Sequence, residues 1–189
     1  DITEDIDNCR EAREALDNID WPCEIKTNFR EINFGCGRGP ASGISWFFDQ
    51  VEKGIILEED CLPDPSFFPY CEELLETYQD NPQVMSISGS NFVSDRTSTL
   101  PQTFLFSIWP HTWGWATWRR AWTKFDFYLE NYNPKEAKAI LNRQCAVPGF
   151  EHFWKLNFSL VKGGAYSHIW DYQWLWCCWN AAGLTCIPK

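Results

Sequence analysis

A chain of 189 residues, 44% hydrophobic and 22% charged, is long enough to bury a core and is expected to form one domain spanning residues 1–189. Its net charge of −10 at pH 7 argues against a nucleic-acid partner, whose footprint would be basic, while a bound metal could still bring in a nucleotide. No apolar run approaches the ~20 residues of a membrane helix, and nothing at the N-terminus reads as a signal peptide.

The nine cysteines fall into neither CxxC pairs nor a Cys/His zinc pattern, and read as buried thiols in a reducing compartment or as a disulfide framework. The twelve tryptophans, most of them between Trp109 and Trp179, read mainly as a bulky aromatic core. Two or three of them are expected to touch sugar.

In chain order, Glu4 to Ile19 predicts an amphipathic helix, with Ile6, Cys9, Ala12, Leu16 and Ile19 on one face. Cys23 to Phe29 predicts a strand. The glycine-rich turn from Asn33 to Pro40 leads into a helix with Pro40 near its first position. That helix carries Ile44, Phe47, Phe48 and Val51. Gly54 breaks it and the strand Ile55–Leu57 follows. Asp64 and Pro65 open a helix running to about Tyr78, and Val84 to Ser88 is the next strand. This rhythm predicts a parallel α/β sheet. Ser94 to Thr103 reads as a polar, mobile loop. Phe104–Ile108 is a strand, helices start at Asn133-Pro134 and span Phe150–Val161 and Asp171–Ala182, and Thr185–Ile187 begins a further strand.

Four constellations could carry chemistry. The strand ending Ile55-Ile56-Leu57 delivers Glu58-Glu59-Asp60 to the sheet edge, where carboxylates suit a hard divalent cation. On an extended chain Glu58 and Asp60 would share one face. Gly35, Gly37 and Gly39 alternate around Arg38 and read either as a phosphate-cradling turn or as a tight strand-to-helix connection, with Arg38 as the diphosphate partner. The segment Trp109 to Trp118 places Gly114 between Trp113 and Trp115. Asp171 at a helix start reads either as a cap or as a cap and general base.

In this order the pieces resemble nucleotide-diphospho-sugar transferases of the GT-A fold, above all a group with a Leu-Glu-Asp-Asp-Cys motif, then Pro-x-Pro-Ser-Phe-Phe and Trp-Gly-Trp-Ala-Thr-Trp. Here these read Leu57-Glu58-Glu59-Asp60-Cys61, Pro63-Asp64-Pro65-Ser66-Phe67-Phe68 and Trp113 to Trp118, with Glu59 in place of the middle aspartate. The layout is also similar to that of Golgi N-acetylglucosaminyltransferases. The resemblance implies a GT-A, Rossmann-like fold with a mostly parallel sheet that lacks its first strand, in a chain truncated at both ends. It further implies that Asp60, with Glu58, binds Mn²⁺ or Mg²⁺ bridging the donor diphosphate. Glu58 and Glu59 would hold the nucleotide side, Gly114 and Trp115 would lie near the donor sugar, and Asp171 would deprotonate the acceptor hydroxyl in an inverting transfer.

The expected activity is therefore transfer of a hexosyl or N-acetylhexosaminyl group from a nucleotide-sugar to a glycan or glycolipid. The expected location is cytoplasmic, at the membrane face, or in a Golgi lumen. Tryptophan density keeps a second reading open, a non-catalytic carbohydrate-binding domain. A two-carboxylate glycosidase ranks behind both, because no acid pair has a spacing that points to it.

Overall fold

A computed structural model describes residues 2–97, 99 and 101–189, apart from the side chains of residues 2–4, 95 and 97. The chain divides into two compact units, Asp1–Glu31 and Ile32–Lys189. The first holds α1 (Ile2–Glu14) and a 3-10 turn, Ala15–Asn18. The expected strand Cys23–Phe29 is absent, because the segment pairs with no other strand and its backbone polar groups are left to solvent. The Arg13 guanidinium lies 4.6 Å from the centre of the Phe29 ring.

The second unit runs α2 (Gly35–Gln50), β1 (Lys53–Ile56), α3 (Phe67–Thr77), β2 (Val84–Ser88), α4 (Ser94–Thr97), β3 (Phe104–Ser107), β4 (Trp115–Trp118), α5 (Arg119–Trp122), α6 (Pro134–Gln144), α7 (Phe150–Lys162), α8 (Asp171–Asn180) and β5 (Leu184–Pro188). The expected loop from Ser94 thus begins with a helical turn, and its positions 98 and 100 lie outside the described residues. Among the described residues no helix is long and apolar enough to cross a membrane.

The fold is α/β, but the sheet is mixed rather than mostly parallel. Its order is β1-β4-β2-β5-β3. Only β2 and β5 pair in parallel, while β4 runs antiparallel to both β1 and β2, and β3 antiparallel to β5. The reason is β4. Its Trp-Ala-Thr-Trp sequence is buried at every position, so it can sit only between two other strands, and it separates β1 from β2.

Alternation along β4 feeds two cores. Trp115 packs with Ala41, Ile44 and Phe48 of α2 and with Trp174, Cys177 and Cys178 of α8. Ala116 and Trp118 pack on Phe67, Cys71, Leu74 and Leu75 of α3. The opposite side of α8 (Leu175, Trp176 and Trp179) closes a third cluster with Leu141 of α6 and with Trp154 and Phe158 of α7. The helix starting at Asn133-Pro134 is capped as expected, the Asn133 side chain accepting the Lys135 N–H at 3.0 Å.

A candidate active site at the end of the first strand

The acids after β1 do not continue the strand. The Cys61 N–H donates to the Glu58 carbonyl at 3.0 Å, closing a turn over Glu58–Cys61. Glu58 and Asp60 therefore do not share a face, as an extended chain would require. Glu58 and Glu59 line a hollow of about 360 Å³ against Pro40, Ile44 and Phe47 of α2. Asp60 lines a larger cleft of about 770 Å³ with Leu62, Phe67, Tyr70, Trp113 and Gly114, within the usual size of a ligand site. Among the described residues no three His, Cys, Asp or Glu side chains are gathered into a ready-made ligand set.

One relationship at the site is long-range. Burial first, then the neighbouring Glu59 and Asp60, push the Glu58 carboxyl above its ordinary value, and Asp171 adds to the rise. The Trp170 indole, hydrogen-bonded to Glu58, opposes it. Asp171 is itself raised, by burial against the protein around it, although its side chain stays accessible to solvent. It occupies the first position of α8, not the cap, which is Trp170. Its carboxylate accepts the backbone N–H groups of Asp171 and Tyr172, the free donors of a helix start.

The core explains this placement. Trp170 is stacked 5.9 Å from Trp115 and lies 6.1 Å from Trp122, measured between ring centres. An indole of β4 thus fixes the residue before Asp171. From the other side, Cys36 Sγ–H donates to the His168 carbonyl at 3.0 Å. A Cβ at Gly37 would fall 2.4 Å from the Ser167 carbonyl oxygen.

This last contact corrects the reading of the glycine-rich segment. Gly35, Gly37 and Gly39 lie within α2, and Pro40 is well inside it rather than near its first position. Gly37 is needed because α2 meets the 167–169 backbone with no room for a side chain. Arg38 is exposed with its guanidinium 5.5 Å from the centre of the Phe34 ring, and it lines none of the three concavities.

Gly114 does border the larger cleft, with a φ of +68°, a conformation glycine adopts without strain. Its carbonyl accepts the Gly89 N–H at 2.8 Å. Trp115 is fully buried in the core, so its indole reaches no ligand and acts only through Trp170. The residue of this segment that faces outward is Trp113, which the motif reading passed over. It lines both the larger cleft and a third pocket beside Asp171. Its neighbour Gly114, which turns the chain out of β4, is the sequence signal that could have singled it out.

Eight of the twelve tryptophans are buried and only Trp21 and Trp113 are exposed, so the indoles form core rather than a tryptophan-paved surface. All nine cysteines are free thiols.

No protein family, curated protein or solved structure matches the chain.

Proposed function

We propose that the Ile32–Lys189 unit is the catalytic part of a metal-dependent glycosyltransferase. It would move a hexosyl or N-acetylhexosaminyl group from a nucleotide-diphospho-sugar to an acceptor hydroxyl, with inversion. The observation that carries this reading is the Trp170 indole at the Glu58 carboxylate, which brings the start of α8, where Asp171 stands, towards the end of β1 and the cleft that holds Asp60. The turn after β1 supplies one acid and helix α8 the other, as a donor side and an acceptor side would require.

The donor set suits a hard cation. Glu58, Glu59 and Asp60 offer oxygen ligands only, and their mutual repulsion favours a positive neighbour. Ions such as Mg²⁺ and Mn²⁺ take one or two protein carboxylates and fill the remaining positions with phosphate and water, so a preassembled cage is not needed. Asp60 would hold Mn²⁺ or Mg²⁺ from the cleft, and Glu58, which lines the other hollow, would reach it only through water. When bound, the metal would neutralise charge on the departing nucleoside diphosphate.

Asp171 would take the proton of the attacking hydroxyl. Its raised pKa makes it a better base than an ordinary aspartate, and the two N–H groups at the start of α8 hold it in place. One carboxylate suffices for an inverting transfer, whereas a glycosidase needs two. Trp170 orients Glu58, and Gly114 lets the backbone approach the donor sugar. The acceptor would be a glycan or glycolipid, with the enzyme at the cytoplasmic membrane face or in a Golgi lumen. A carbohydrate-binding domain is the second reading, favoured by exposed Trp113 alone.

A panel of nucleotide-sugars with Mn²⁺ tests the proposal. Slow donor hydrolysis, lost in Asp60→Asn, is expected, together with thermal stabilisation by a nucleoside diphosphate only when metal is present. No hydrolysis of any donor and no thermal shift with any nucleotide would sink it.

A further inference from the structure

The pocket beside Asp171 has a different chemistry from the two hollows flanking the acid turn. It encloses about 250 Å³ among Phe92, Trp109, His111, Trp113, Asp171 and Tyr172. That lies below the roughly 300–1,000 Å³ of drug-sized sites and suits a single ring. No lysine or arginine lines it, so an anionic ligand would meet Asp171 uncompensated. Burial lowers the His111 pKa, leaving a neutral imidazole with one donor and one acceptor at neutral pH.

The rim is built and yet wet. Phe92 meets His111 edge-on at 4.6 Å and Trp113 edge-on at 5.5 Å, so three rings brace one another. Nevertheless Trp113 is 66% and Phe92 58% exposed, and large apolar faces held open to water mark binding surfaces. Deeper in, Trp154 lies 5.9 Å from Trp109 and 5.2 Å from Tyr172 and fixes the inner wall.

We infer that this pocket is the acceptor subsite and that it takes a neutral pyranose ring stacked on the Trp113–Trp109 wall, with one hydroxyl directed at Asp171. The assignment rests on the transferase reading, since it places the acceptor hydroxyl against the residue proposed as base. Trp113 then separates the two substrates, because it also lines the cleft with Asp60. An aromatic pocket with one carboxylate could also hold a quaternary ammonium. The His111 donor and acceptor favour the sugar, since an ammonium group has no hydroxyls for them to engage.

The test uses the whole chain without nucleotide or metal. Saturation-transfer NMR and titration calorimetry would probe methyl hexopyranosides, methyl glucuronide and choline. Binding of a neutral glycoside is expected, weaker for the glucuronide, and weakened at least tenfold by Trp113→Ala. Trp113→Phe, which keeps an aromatic face, should recover part of it. Three results overturn the assignment, namely no glycoside binding, binding that Trp113→Ala leaves unchanged, or choline bound more tightly than any glycoside. Donor hydrolysis without glycoside binding removes the subsite and leaves the transferase. Glycoside binding without hydrolysis of any nucleotide-sugar removes the transferase, and with it the acceptor role.

Discussion

The Trp170 indole faces the Glu58 carboxylate, and this one contact ties the end of β1 to the start of α8. Trp170 is itself packed on Trp115, Trp122 and Trp174 in the core. The spacing of the two acids is therefore set by indole packing rather than by loop conformation.

Burial, then the neighbouring Glu59 and Asp60, make Glu58 costly to ionise in spite of that contact. A carboxyl raised in the folded state gives its full stabilisation below its ordinary value of 4.5 and loses it as pH rises through the raised value. Glu58→Gln is accordingly expected to melt higher than the parent at pH 7 and to converge with it below about pH 4, in the ordinary range of carboxylates. Comparing the pair at each pH cancels the opposing effect of His111, which is lowered by burial. Mn²⁺ should raise the melting temperature of the parent at pH 7, by mass action on the folded state, and do so less in Asp60→Asn.

Gly37 and Gly39 should behave oppositely. Alanine at Gly37 would drive a Cβ into the Ser167 carbonyl, and such overpacking costs about 1–3 kcal/mol. Alanine at Gly39 meets nothing within 4 Å and should be neutral or stabilise by roughly 0.4–1 kcal/mol. Urea unfolding measures both. If donor binding fell equally in the two variants, the segment would have to contact phosphate as well as support α2.

The two tryptophans flanking Gly114 give a second contrast. Trp115→Ala opens a cavity under Trp170 and should cost about 3–5 kcal/mol. Trp113→Ala, on the surface, should stay within about 0.5 kcal/mol of the parent. Circular-dichroism melts distinguish them.

Asp171→Asn keeps the shape of the helix start and removes the base. If transfer occurs, its rate should fall roughly 10²–10⁴-fold, the usual contribution of general-base catalysis, with glycoside binding at the pocket it lines weakened less than by Trp113→Ala, since the amide oxygen still accepts from a hydroxyl. Single-turnover measurements on the active donor decide the first point and NMR titration the second.

Thiol chemistry offers an independent check of the core. Burial pushes Cys71, Cys177 and Cys186 up to about 12 and Cys178 well above its ordinary value. These four should resist a thiol reagent in the native protein and react only after unfolding, while the exposed Cys9, Cys23 and Cys36 react at once.

Elements with a clear period or cap were legible in the sequence. Val84–Ser88, Phe104–Ser107 and Phe150–Lys162 stand close to their expected bounds, and Asn133 caps the helix it was expected to cap. Strand β4 was not legible. Trp-Ala-Thr-Trp shows no alternation of apolar and polar residues because both of its faces are covered, and it read as part of a binding motif. Missing it hid the antiparallel step between β1 and β2 and left Trp115 misplaced at the sugar. The acid turn was half legible. The strand's end marked where the carboxylates emerge, but which hollow each one lines depends on the Cys61-to-Glu58 hydrogen bond, a feature of the turn. Asp171 was readable as a candidate base. Its placement on the side of the acid turn was not, since it is set by the packing around Trp170.

Strand β1 lies at the margin of the sheet, so among the described residues one row of its amide and carbonyl groups has no neighbouring strand. Such a margin is a template on which a second copy can lay down a strand of its own, and charged side chains at its ends are among the features that hold another copy off. Lys53 opens β1 and Glu58, Glu59 and Asp60 follow it. The acids proposed to hold the metal would therefore also repel their counterparts in a copy pairing in parallel. Neutralising all three at once should cost solubility as well as catalysis.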